Sequence, residues 1–113
     1  MSTEKPDPLA RVCARLAPGW EAYVSVGAGW DSIVLDLDRA LAEVAPDARY
    51  EQIKEKWGGL RVYVCGGNPE AEALIREAEL RASKTCEECG GEGSMRVSPR
   101  GWRGTLCPSC IRG

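Results

Sequence analysis

At 113 residues, with 43% hydrophobic residues and 15 Lys/Arg against 17 Asp/Glu, the chain has the size and composition of one globular domain with a modest core. A net charge of −2 is not the strongly basic footprint of a nucleic-acid domain, and the complete lack of histidine removes the Ser-His and Cys-His nucleophile pairs and the commonest general base. No apolar run is long enough to span a membrane, residues 1–8 are polar, and unpaired cysteines suit a reducing compartment, so the expectation is a cytoplasmic protein without membrane contact.

In chain order, Asp7-Pro8 reads as a helix start, an N-cap followed by proline at the first helical position. Leu9, Val12, Cys13 and Leu16 then share a face, which places Cys13 in the core, and Pro18-Gly19 stops the segment. Ala22–Val26 reads as a short strand before a Gly27-Ala28-Gly29 turn. That turn lacks the third glycine and the strand-loop-helix setting of a phosphate loop. The clearest helix covers Trp30 to Ala45: Trp30, Ile33, Val34, Leu37, Leu41 and Val44 step by three or four, with Asp36, Asp38, Arg39 and Glu43 on the opposite face.

Tyr50–Trp57 and Leu60–Cys65 alternate around Gly58-Gly59, a pair suited to the positive φ angles of a two-residue hairpin turn. That register sets Trp57 against Leu60, Glu55 against Val62 and Ile53 against Val64 on an apolar face, with Trp57 packed in the core or against the C-terminal segment. The other face then pairs Lys56 with Arg61, Lys54 with Tyr63 and Gln52 with Cys65. Like charges in cross-strand register do not favour folding. Lys54, Lys56, Arg61 and Tyr63 are therefore candidate partner-binding residues, unless Glu51, Asp47 or a helix carboxylate neutralises the pair or both side chains fan into solvent. Asn68-Pro69 opens another helix, with Glu70 and Glu72 in its first turn and Ala71, Leu74, Ile75, Ala78 and Ala82 facing inward.

Cys86-x2-Cys89 and Cys107-x2-Cys110 lie seventeen residues apart. Matched pairs at this spacing favour one tetrahedral zinc ion over two disulfides or a redox pair, and four thiolates leave no open position, so the ion reads as structural. Cys13 and Cys65 are assigned neither to the metal nor to a disulfide. Between the pairs, Ser94–Val97 and Trp102–Leu106 flank a Ser98-Pro99-Arg100-Gly101 turn, the hairpin of a zinc ribbon. Trp102 reads as ribbon packing, or with Arg103 as a second partner-binding patch. The expected fold is α+β: helices packed on a small antiparallel sheet, as a body over 1–83, with a four-cysteine zinc ribbon over 84–113.

Trp30, the segment Gln52–Tyr63 and the paired Cys-x2-Cys motifs resemble a family of small zinc-ribbon proteins of bacterial genomes and their phages, over roughly residues 20–110. The resemblance supplies no activity, substrate or catalytic residue. It implies a setting in which short proteins of mobile elements bind and block a host or rival protein. The expected function is non-enzymatic: a zinc-binding module that contacts another protein. The alternative is a nucleic-acid-associated regulator using the ribbon arginines and the Lys54/Lys56/Arg61 face.

Overall fold

The structure is a computed structural model that describes residues 9–19 and 22–112. Its chain order is helix α1 (Ala10–Cys13), strand β1 (Tyr23–Ser25), a 3₁₀ turn (Ala28–Trp30), α2 (Asp31–Val44), β2 (Arg49–Lys56), β3 (Gly59–Cys65), α3 (Pro69–Ala82), β4 (Ser94–Val97), β5 (Arg103–Leu106) and a 3₁₀ turn (Cys110–Arg112). This is an α+β fold. The expected Asp7-Pro8 cap lies outside the described residues. The Asn68 cap is present: its side chain accepts the Ala71 N–H at 2.8 Å, with Pro69 at the first helical position. Such a cap contributes about 1 kcal/mol.

Two sheets form. In the first, of order β1-β2-β3, β2 and β3 are antiparallel while β1 joins β2 in parallel; β4 and β5 form an antiparallel ribbon of their own. The core lies between α2, α3 and the inner face of the three-stranded sheet. It is built from Trp30, Ile33, Val34, Leu37 and Leu41, from Tyr50, Ile53, Leu60 and Val62, and from Ala71, Ile75, Ala78 and Ala82. Ala71, Ala78 and Ala82 of α3 are buried where that helix packs against α2 and β3.

Three expectations are corrected by side-chain placement. Cys13 is exposed rather than in the core, because α1 is a single turn that turns Val12 inward. Asp38, assigned to the polar face of α2, is only 2% exposed. It accepts from Arg15 Nη1 at 3.0 Å, Arg11 Nε at 3.2 Å and Tyr50 Oη at 2.6 Å, so the carboxylate is buried with its charge matched. Arg15 also donates to the carbonyls of Ala45 and Ala48, closing the C-terminal end of α2. Helical spacing alone cannot anticipate cations arriving from another segment.

The third correction is the hairpin register. Ile53 faces Val62, Lys54 faces Arg61, Glu55 faces Leu60 and Lys56 faces Gly59. The turn is therefore Trp57-Gly58, with φ of 55° and 83°, rather than Gly58-Gly59. A shift of two residues in pairing keeps every strand residue on its expected face, because strand side chains alternate with period two. Trp57 alone is displaced from the apolar face to the tip. A bulge between Tyr50 and Gln52 then restores Tyr50 to the core side, opposite Val64.

Candidate functional site

The ribbon grows directly from α3. Thr85 N–H donates to Ala82 O at 3.1 Å, and the first knuckle follows, closed by Cys86 N–H to Gly91 O at 2.7 Å and Gly90 N–H to Cys86 O at 2.9 Å. The Sγ atoms of Cys86, Cys89, Cys107 and Cys110 all lie within 4.8 Å of one another, and Cys89 and Cys107 are 3.7 Å apart. A tetrahedral ion with metal–sulfur bonds of about 2.3 Å requires sulfurs roughly 3.8 Å apart, so the four ligands fit one metal ion. All six cysteines are free thiols, and Cys13 and Cys65 lie outside the cluster.

The four sulfurs of the cluster are electrostatically unequal. Burial raises the Cys86 thiol, but backbone N–H donors from Cys89, Cys107 and Glu88 outweigh it and hold Cys86 well below the ordinary thiol value. The Cys110 N–H likewise lowers Cys107. The Gly91 N–H acts downward on Cys89, yet the Cys86 and Cys107 sulfurs outweigh it; the Cys107 sulfur beside Cys110 raises that thiol strongly. Two sulfurs are poised to ionise and two are held back by their neighbours. Only a bound cation lets four thiolates coexist at this separation.

The knuckle sits in a seat made by the Gly27-Ala28-Gly29 turn. Gly29 N–H donates to Glu87 O at 2.9 Å. A Cβ on Gly29 would lie 2.2 Å from Cys86 O and 2.7 Å from Gly90 N, so glycine is required by backbone approach. Trp30 is fully buried beside it and donates Nε1–H to Thr85 O at 2.8 Å, which satisfies its indole nitrogen in the core. On the other side, Glu87 N–H donates to Thr105 O at 2.9 Å, and buried Thr105 donates its hydroxyl to Gly58 O at 2.6 Å. Glu55 accepts the Gly58 N–H at 2.6 Å. The metal site is thus joined to the start of α2 and to the tip of the β2–β3 hairpin.

Comparison with protein families, with curated proteins and with solved structures returned no match. Among the described residues, no helix is long and apolar enough to cross a membrane.

Lys54, Lys56, Arg61 and Tyr63 share the outer face of the three-stranded sheet, together with Tyr23, Gln52 and Arg49. The like-charge pair is Lys54 with Arg61, not Lys56 with Arg61. The Lys54 ammonium lies 5.9 Å from the Tyr63 ring centroid, a cation–π contact, and Arg61 lies over Gly59 towards Lys56. No helix among the described residues covers this face, and its Tyr23 and Tyr63 are exposed. The ion pairs of the described residues join Arg11 and Arg15 to Asp38, and Arg39 and Arg81 to Asp36, so among the described residues no carboxylate forms an ion pair with these cations. Glu51, at the bulge, is exposed and pairs with none of them.

Trp102 and Arg103 occupy a different feature, a cleft of about 840 Å³ shared with Glu55, Glu87, Glu88 and Arg100. Burial, then the charges of Glu55 and Glu88, raise the Glu87 carboxyl above its ordinary value, against the Thr105 N–H that lowers it. Neither tryptophan expected to pack does so: Trp57 is 68% and Trp102 75% exposed. Sequence reasoning misses Trp57 as a surface residue because the glycine pair draws the turn one residue too far along. A Trp-Gly pair at the tip is the available signal.

Proposed function

We propose that the protein is a non-enzymatic, zinc-stabilised module that binds another protein in stoichiometric amounts. Its four sulfurs would fill the coordination sphere of the ion and leave no position for a substrate, and the chain has no histidine. The observation that carries the reading is the outer sheet face shared by Lys54, Lys56, Arg61 and Tyr63, where among the described residues no helix covers the cations and no carboxylate forms an ion pair with them. Arginine and tyrosine are favoured residues of interface centres, and unpaired cations select an acidic partner. The resemblance to small zinc-ribbon proteins of bacteria and phages supports a role as a blocking or accessory factor of a mobile element. The same cations leave nucleic-acid regulation as the second reading, but two of the ribbon arginines that it needs, Arg100 and Arg103, share their cleft with three glutamates.

The test is affinity capture from the native host with wild type and a Lys54→Glu/Arg61→Glu variant side by side, after nuclease treatment. A protein held by wild type and lost by a variant of equal metal content and melting temperature is the expected result. Retention of the same protein by the folded variant would remove this face from the reading. Nuclease-sensitive capture whose affinity falls steeply with added salt would favour the nucleic-acid alternative, because phosphate contacts release counterions.

A further inference from the structure

Trp57 takes φ 55°, in the left-handed region that bulky side chains avoid, and leaves its indole 68% exposed. A two-residue hairpin turn favours Asn-Gly or Gly-Gly at these positions. Neither the turn nor the core selects a tryptophan there. The backbone beneath it is nonetheless fixed from both sides. Gly58 donates to Glu55 Oε2 and accepts from Thr105 Oγ1, each at 2.6 Å. A Cβ on Gly58 would come within 2.7 Å of the Met95 sulfur and methyl, so the ribbon lies directly against the turn. The indole stands on a rigid mount rather than in a loose loop.

Its surroundings have the anatomy of a binding hot spot. Met95, against the turn, and Val97, two residues along the same strand face, are both more than half exposed. Lys56 precedes the indole in sequence, and Arg61 reaches over Gly59 from the facing strand. An exposed tryptophan on a turn backed by the ribbon's Met95, with Lys56 and Arg61 on the two strands that the turn joins, has the aromatic and arginine composition of protein interface centres.

We infer that the Trp57 indole is the anchor of this interface, entering an apolar pocket on an acidic protein partner while Lys56 and Arg61 meet carboxylates around it. This rests on the protein-binding reading above and deepens it. A protein fits better than a nucleic acid because the ribbon strand packed against the turn presents Met95 and Val97, both more than half exposed, rather than aromatics on which bases could stack. Single-stranded nucleic acids are held by successive aromatics along a basic groove.

Peptides selected from a random displayed library on the full-length chain, purified without chelator, serve as the probe. The expected binders are acidic and carry an aromatic or aliphatic residue. Trp57→Asn should weaken them about tenfold or more while the melting temperature holds or rises, since asparagine suits the left-handed position. Thr105→Val, which takes the hydroxyl from the Gly58 carbonyl, should weaken the same peptides at unchanged metal content. Full binding by Trp57→Asn together with loss in Lys54→Glu/Arg61→Glu would overturn the anchor and leave the protein-binding face standing. Binding untouched by either substitution would sink both. A lower melting temperature in Trp57→Asn would show that the indole serves the fold and overturn the inference. So would selection of basic peptides, tighter binding to a single-stranded oligonucleotide, or self-association that depends on Trp57.

Discussion

Asp38 shows how a single residue can depart from its helical pattern without cost to the fold. Its carboxylate lies on α2 with two arginines and the Tyr50 hydroxyl around it, and Arg15 continues on to the α2 C-terminal carbonyls. Asp38→Ala leaves a nearly buried guanidinium and a buried hydroxyl without their partner, and should destabilise the chain by about 3–5 kcal/mol, read as a lower urea midpoint. Tyr50 gives a pH signature. Burial first, then the hydrogen bond and charge of Asp38, raise its phenol far above the ordinary value of 10.0. The unfolded phenol therefore ionises first, the folded state holds more protons above that value, and stability falls as pH rises. Stability should be fully present below about pH 10 and decline beyond it, and Tyr50→Phe should flatten that alkaline decline in denaturation midpoints.

At the scale of elements, the two edges of the three-stranded sheet are blunted in different ways. Glu79 of α3 accepts the Val62 N–H at 3.3 Å, covering part of the free edge of β3, while the opposite edge strand β1 is only three residues long. Both devices limit edge-to-edge pairing with other chains. The Gly27-Ala28-Gly29 turn acts as a seat for the metal knuckle, because a side chain at Gly29 would meet the backbone of Cys86 and Gly90. Gly29→Ala should cost about 1–3 kcal/mol by overpacking and loosen the ribbon. The measurement is retention of metal during dialysis against a weak chelator, with faster loss expected than from wild type.

Over the whole molecule, the ribbon and the helical body share hydrogen bonds at Trp30–Thr85, Gly29–Glu87 and Thr105–Gly58. Structural zinc in comparable sites binds with roughly 10–16 kcal/mol at neutral pH. Removing it should therefore reach beyond the ribbon. Chelation, or Cys89→Ser, should lower the melting transition followed by helical circular dichroism as well as releasing the metal. An unchanged helical transition would mean that these contacts do not couple the two parts. Replacing Cys13 and Cys65 together should leave metal content intact, since neither lies in the cluster.

The four-cysteine cluster, the Asn68-capped helix, the α2 stripe and the ribbon hairpin were legible in the sequence because each is governed by local chemistry: Cys-x2-Cys spacing, cap residues and helical or strand periodicity. The faces of β2 and β3 were legible for the same reason, since alternation survives a register shift of two. What the sequence could not decide was where the turn falls, which polar residues are buried and which aromatics are exposed. Trp57 sits in the turn because the β2–β3 pairing and the Thr105 and Met95 contacts from the ribbon set its position. Asp38 is buried because Arg11, Arg15 and Tyr50 converge on it from other elements. Those outcomes depend on groups far apart in the chain, and only tertiary packing brings them together.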